Sequence, residues 1–150
     1  MLDFERSDNI EIKKYSTKMK PIVTSVEELY NSREGTGEVI LDEMAGILRT
    51  TRIIEVRDMA LLMDVSAHAL NMAVRLLTGM TVRTIINRWR LLQARDMLRK
   101  KGAEEGSDGS TVNKAAIDRV KRLDSVARAC GWRNYRVLLK VARRYRFLLE

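Results

Sequence analysis

Apolar residues recur at spacings of three and four along most of this chain, which is the period of a helix rather than of a strand. A short helix is expected over Ser25–Asn31, with Ser25 as its cap and Glu28 three residues on. Asn31–Gly37 carries two glycines and reads as a linker. A helix from about Glu38 to Thr50 should bury Val39, Ile40, Met44, Ile47 and Leu48. Short helices are expected next, near Glu55–Met63 and Ser66–Thr78. Thr78-Gly79-Met80-Thr81 breaks the pattern: Gly79 suits the left-handed position past a helix end, and Thr81 can cap the next helix. That helix is long, about Val82 to Lys100, and carries a stripe of Val82, Ile85, Ile86, Trp89, Leu92, Met97 and Leu98.

Lys101–Ser110 has three glycines and little to bury, so it reads as a flexible loop. Helix should resume near Thr111–Lys114 and run to Cys130, with Ala116, Val120, Leu123, Ala127 and Cys130 on one face. Gly131-Trp132 interrupts it, and a last helix is expected over about Asn134 to Leu148. The expected organisation is a partly ordered N-terminal extension (1–37), a first lobe (38–81), a linker helix (82–100), a loop (101–112) and a second lobe (113–150). Residues 1–20 mix charged and apolar positions without a clear period.

Two stretches fit a helix-turn-helix, which needs a small residue where its helices cross, a tight turn, and a second helix with one apolar and one polar face. In Val56–Leu77 the small residue is Ala60, the buried set Met59, Met63, Val65, Leu70 and Val74, and the cap Ser66. Asp64 stands where glycine is usual, and Asp tolerates the left-handed conformation better than most residues. The second helix of this unit should present Ala67, His68, Asn71, Met72 and Arg75 outward. In Leu123–Arg146 the crossing residue is Ala127, and Gly131 falls four residues later, at the turn. Val126, Cys130, Trp132, Leu138 and Val141 match the buried places; Arg133, Asn134, Arg136, Lys140 and Arg143 should face outward. Arg and Lys suit guanine edges and phosphates, and Asn can pair bidentately with adenine. Thr81, Arg83 and Arg144 are further candidates for phosphate contact.

The residues Ser66 to Leu70, Thr78-Gly79-Met80-Thr81, Asn87-Arg88-Trp89-Arg90-Leu91-Leu92-Gln93-Ala94 and Ala127-Arg128-Ala129-Cys130-Gly131-Trp132 resemble the DNA-binding domain of the AraC/XylS family of transcription regulators. That family has a Ser-started recognition helix, a T-G-M-T/S joint, an N-R-x-R-L-x-x-A helix and an I-A-x-x-x-G-F second unit. The resemblance covers about residues 38–147. It implies an all-α, homeodomain-like fold of two helix-turn-helix lobes joined by a long linker helix, each lobe placing one recognition helix in adjacent major grooves. It also implies transcription control, with RNA polymerase or another regulator as partner beside double-stranded DNA. The chain departs from the family at its long connector after the linker helix, at Ala142 in place of a bulky aromatic, and at its end, which lacks Gly-x-Thr-Pro. Residues 1–36 are too few for the ligand-sensing domain that many members carry.

Charge sharpens this picture. The net charge is +8, which suits an anionic partner. Residues 1–36 carry net −1, 37–101 net +4, 102–122 zero and 123–150 net +5. The surplus therefore lies in two blocks, 37–101 and 123–150, with a neutral connector between them. Cys130 and His68 are the only cysteine and histidine, leaving nothing for a multi-cysteine or His-rich metal site. No apolar run reaches the ~18 residues a membrane span needs, and the N-terminus lacks a basic-then-apolar leader. The expectation is a cytoplasmic, nucleoid-associated bacterial protein that is not an enzyme and takes no cofactor. Two other readings remain open: an architectural or mobile-element DNA-binding factor with little sequence reading, or a protein–protein docking module.

Overall fold

The computed structural model describes residues 23, 25–51, 54–105 and 112–149. Seven helices make up the fold among these: α1 (Val26–Asn31), α2 (Val39–Thr50), α3 (Val56–Leu62), α4 (Ala67–Thr78), α5 (Val82–Glu105), α6 (Val112–Ala129) and α7 (Tyr135–Arg144). There is no strand among the described residues, so the fold they form is all-helical. None of these helices alone is long and apolar enough to cross a membrane.

Local chemistry sets most helix starts. Ser25 Oγ accepts from the Glu28 amide and starts α1, while Ser66 Oγ accepts from the Ala69 amide and starts α4. Thr81 Oγ1 accepts from the Thr84 amide at the head of α5. Gly79, at φ 74°, ends α4 in the left-handed conformation that glycine adopts without steric cost.

The buried residues form two clusters. The first gathers Leu29, Leu41, Met44, Leu48, Met59, Leu70, Val74 and the Val82, Ile85, Ile86, Trp89 and Leu92 stripe of α5. The second gathers Leu91 and Ala94 of α5 with Val126, Ala127, Cys130, Trp132, Leu138 and Ala142. At ~3.6 residues per turn these two sets lie on nearly opposite sides of α5. The linker helix thus has two apolar stripes where the sequence pattern suggested one: Met97 and Leu98 pack on the second cluster, not the first. Phe147 packs against both clusters, so the chain end bridges them.

Several expectations about burial and length are corrected. Val39 and Val65 are exposed: Val39 is the first residue of α2, and Val65 is the last residue of the turn before Ser66. Ala116 and Val120 are exposed too: α6 touches the second cluster only through its C-terminal half, from Leu123 onward. The linker helix continues to Glu105 through residues expected to be loop. Lys101 Nζ donates to Ser125 Oγ at 2.9 Å, tying that extra turn to α6. The remainder of the expected loop, residues 106–111, lies outside the described residues. The last helix stops at Arg144, not Leu148. Arg146 takes φ 51°, and the Phe147 amide turns back to the Ala142 carbonyl at 2.8 Å.

Candidate nucleic-acid interface

The two helix pairs are built on one local plan. In α3–α4 the Val65 amide donates to the Ala60 carbonyl at 3.0 Å, and Asp64 between them has φ 57°. In α6–α7 the Trp132 amide donates to the Ala127 carbonyl at 2.9 Å, and Gly131 has φ 96°. Each turn therefore closes five residues past a buried alanine, with a left-handed residue at the fourth. The buried leucine of the following helix comes at Leu70 in one and Leu138 in the other, so the second turn is one residue longer. The axes of α3 and α4 meet at 94°. A buried alanine at each crossing lets the two backbones approach, and a larger side chain would hold them apart.

The predicted outward residues divide by what surrounds them. On and before α7, Arg133, Arg136, Lys140, Arg143 and Arg144 are all exposed. Positions 136, 140 and 143 share one helix face. No ion pair engages these five among the described residues; Asp124 of α6 pairs with Arg128 at 3.2 Å. Arg136 Nε donates to Tyr135 Oη at 3.4 Å, a hydrogen bond that holds its pKa above the ordinary arginine value, and its guanidinium rests over the Tyr135 ring. In the first unit Ala67, His68, Met72 and Arg75 are exposed on α4. This face is mostly apolar: Met72 and Leu76 are 62% and 64% exposed, and Leu61 and Leu62 of α3 are exposed as well. Arg83 is exposed near the head of α5, as is Thr81.

The two asparagines are corrected. Asn71 is half-buried, and its Oδ1 accepts from the Val82 amide at 3.1 Å, pinning the start of α5 to the middle of α4. Asn134 is half-buried at the cap of α7, its Oδ1 accepting from the Val137 amide at 3.1 Å. Both amide oxygens are committed to helix starts, so neither is presented for bidentate pairing with adenine. The sequence signal for Asn134 was available, since Asn is among the best capping residues. That for Asn71 was not, because its partner lies eleven residues away.

The Asn87-Arg88-Trp89-Arg90 segment fastens the structure in four directions. Asn87 Nδ2 donates to Tyr145 Oη at 2.9 Å, and Arg88 Nη2 donates to the Tyr145 carbonyl at 3.2 Å. Trp89 lies edge-on to Tyr30 at 4.9 Å between ring centres, under the Arg49 guanidinium. Arg90 Nη2 donates to the Ile54 carbonyl. Arg57, Asn87 and Arg90, to which sequence reasoning gave no part in binding, gather here with the phosphate candidate Arg83, and the four line a groove of about 380 Å³ between the start of α3 and one face of α5. The spacing 83, 86/87, 90 marks one face of a helix; only the packing of α3 adds Arg57 to it. Among the described residues no group of three or more His, Cys, Asp or Glu side chains is placed to hold a metal ion. No family model, curated protein or solved structure matches this chain.

Proposed function

We propose that the chain is a sequence-specific, double-stranded-DNA-binding transcription regulator, with α3–α4 and α6–α7 as helix-turn-helix units and α4 and α7 as their major-groove helices. One observation carries the reading: Arg136, Lys140 and Arg143, with Arg133 just before the cap, stand exposed and without acidic partners among the described residues, on the outer side of a helix fixed by a capped start and a buried inner face. A row of unneutralised cations on a rigid helix suits phosphates and guanine edges. The repeated turn and the 94° crossing of α3 and α4 fit the geometry of such units. The reading needs no paired carboxylates or nucleophile: it is a binding function, with transcription control by way of RNA polymerase or another regulator.

The test is selection of bound duplexes from a random pool with the purified protein. Two short motifs about one helical turn apart are expected. No enrichment at moderate salt would overturn sequence-specific reading. A second reading rests on a separate observation: the exposed Met72 and Leu76 make α4 a more apolar face than a groove-reading helix usually shows. In that case the first unit docks a protein and only the second reads DNA, and selection would return a single motif.

A further inference from the structure

The groove between α3 and α5 has a composition that the groove-reading helices do not explain. Ile54, Glu55, Val56 and Arg57 form one wall, and Arg83, Ile86, Asn87 and Arg90 the other. Three guanidinium groups thus face one carboxylate. Arg57 and Arg83 are exposed, and no ion pair engages either among the described residues. Glu55 is exposed, and no ion pair joins it to any of the three. Arg90 is the inner cation. One of its Nη atoms is spent on the Ile54 carbonyl, while its Nε is buried with no acceptor. Burial disfavours its charge, and Glu55 only partly offsets this. The groove therefore holds more positive charge than its own residues balance, and an arginine with donors to spare at its inner end.

We propose that this groove is a phosphate site, and that its occupant is a backbone phosphate of duplex DNA beside the first unit. Arginine forks match phosphate oxygens in geometry as well as charge. The assignment rests on the DNA-binding reading above, in which the first helix of a helix-turn-helix crosses the sugar–phosphate backbone. Arg57 and Arg83 reach the outer oxygens from the two walls, and Arg90 supplies charge from below. The apolar side chains Val56 and Ile86 line the same groove, and Glu55 is the one carboxylate set against its three arginines. A site of this kind fixes the register of the protein on the duplex without reading sequence. A free phosphate ester has the same chemistry, and the experiment separates the two sources.

The experiment compares the full chain with Arg57→Gln/Arg83→Gln, two exposed changes that leave the cores intact. A charge-matched control is Arg33→Gln/Lys100→Gln, also exposed and outside the groove. Affinity for a random-sequence duplex is measured against salt, and thermal stability is measured in inorganic phosphate against chloride at equal ionic strength. The groove variant should bind less tightly and lose about 1 from its log–log salt slope, while the control keeps the parent slope. An equal fall in slope in both variants overturns the site, since loss of overall charge then accounts for it. An unchanged slope together with no phosphate-specific stabilisation of the parent also overturns it. An unchanged slope with phosphate stabilisation that the groove variant loses overturns the DNA-backbone assignment and makes a free phosphate ester the occupant. If the parent binds no duplex, the function proposed above fails. The phosphate arm then decides the groove alone: stabilisation lost in the variant keeps a phosphate site, and no stabilisation removes it.

Discussion

Asn134 is the residue at which a base-reading role and a structural role give opposite results. Its Oδ1 accepts the Val137 amide at 3.1 Å, and the helix it starts is only ten residues long. That helix supplies Leu138 and Ala142 to the second cluster, so fraying its first turn loosens the packing beneath. Removing such a cap with Asn134→Ala should cost about 0.5–2 kcal/mol. In a chain of this size ~1 kcal/mol corresponds to a fall in melting temperature of roughly 2–4 °C. Asn134→Ser keeps a capping oxygen but cannot pair bidentately with adenine. It should therefore melt within about 1 °C of the parent, a change of only a few tenths of a kcal/mol, and bind DNA equally well. Thermal melts followed by circular dichroism, with duplex titrations alongside, read both quantities. The capping argument is refuted if Asn134→Ala melts like the parent. The claim that Asn134 does not read a base is refuted if Asn134→Ser keeps its stability yet loses the ~1–3 kcal/mol of discrimination that a bidentate base contact supplies.

Ala127 is fully buried where α6 turns toward α7, so Ala127→Leu overpacks the crossing. A loss of about 1–3 kcal/mol or more is expected in a chemical-denaturation midpoint, and an unchanged midpoint would remove the crossing. Arg136→Ala leaves both cores untouched and should cost about 1–3 kcal/mol at one base position in a binding-site selection, with relaxed preference there. Normal specificity would take α7 out of the groove. Asp42 accepts from the Thr36 amide at 2.6 Å, from Thr36 Oγ1 at 2.8 Å and from the Gly37 amide at 3.2 Å, and these bonds hold its pKa below the ordinary carboxylate value. A depressed folded pKa makes its contribution complete above the unfolded value and lost as pH falls through the folded one. Acid titration below the usual carboxylate range should thus release the Thr36 and Gly37 amides, seen as rising amide exchange there. In Asp42→Asn that acid step should be missing.

Helix existence and the local ends of helices were legible in the sequence. Ser25, Ser66, Gly79 and Gly131 act where their residue types place them, because caps and left-handed turns are closed by atoms three to five residues away. The buried alanines Ala60 and Ala127 were legible for the same reason: their positions are fixed relative to an adjacent turn. Burial of whole helix faces was less so. The periodicity of α6 continues through Ala116 and Val120, yet among the described residues no helix covers them. Periodicity states which residues share a side, not what packs against it.

Tertiary structure alone decided the rest. The long helix α5 serves two cores at once, so its apolar positions split into two stripes that a single-face reading merges. Asn71 became a clasp only because folding brings the Val82 amide beside α4. Arg57 joined Arg83 and Arg90 only because the start of α3 packs against α5, thirty-three residues on from Arg57 to Arg90 in the chain. The sequence by itself determined most of the helices, their turns and the net charge of each block of the chain, since these depend on short-range sterics and composition. Which polar groups remain unpaired and exposed, and so available to a partner, depends on contacts between segments far apart in the chain, and only packing sets those.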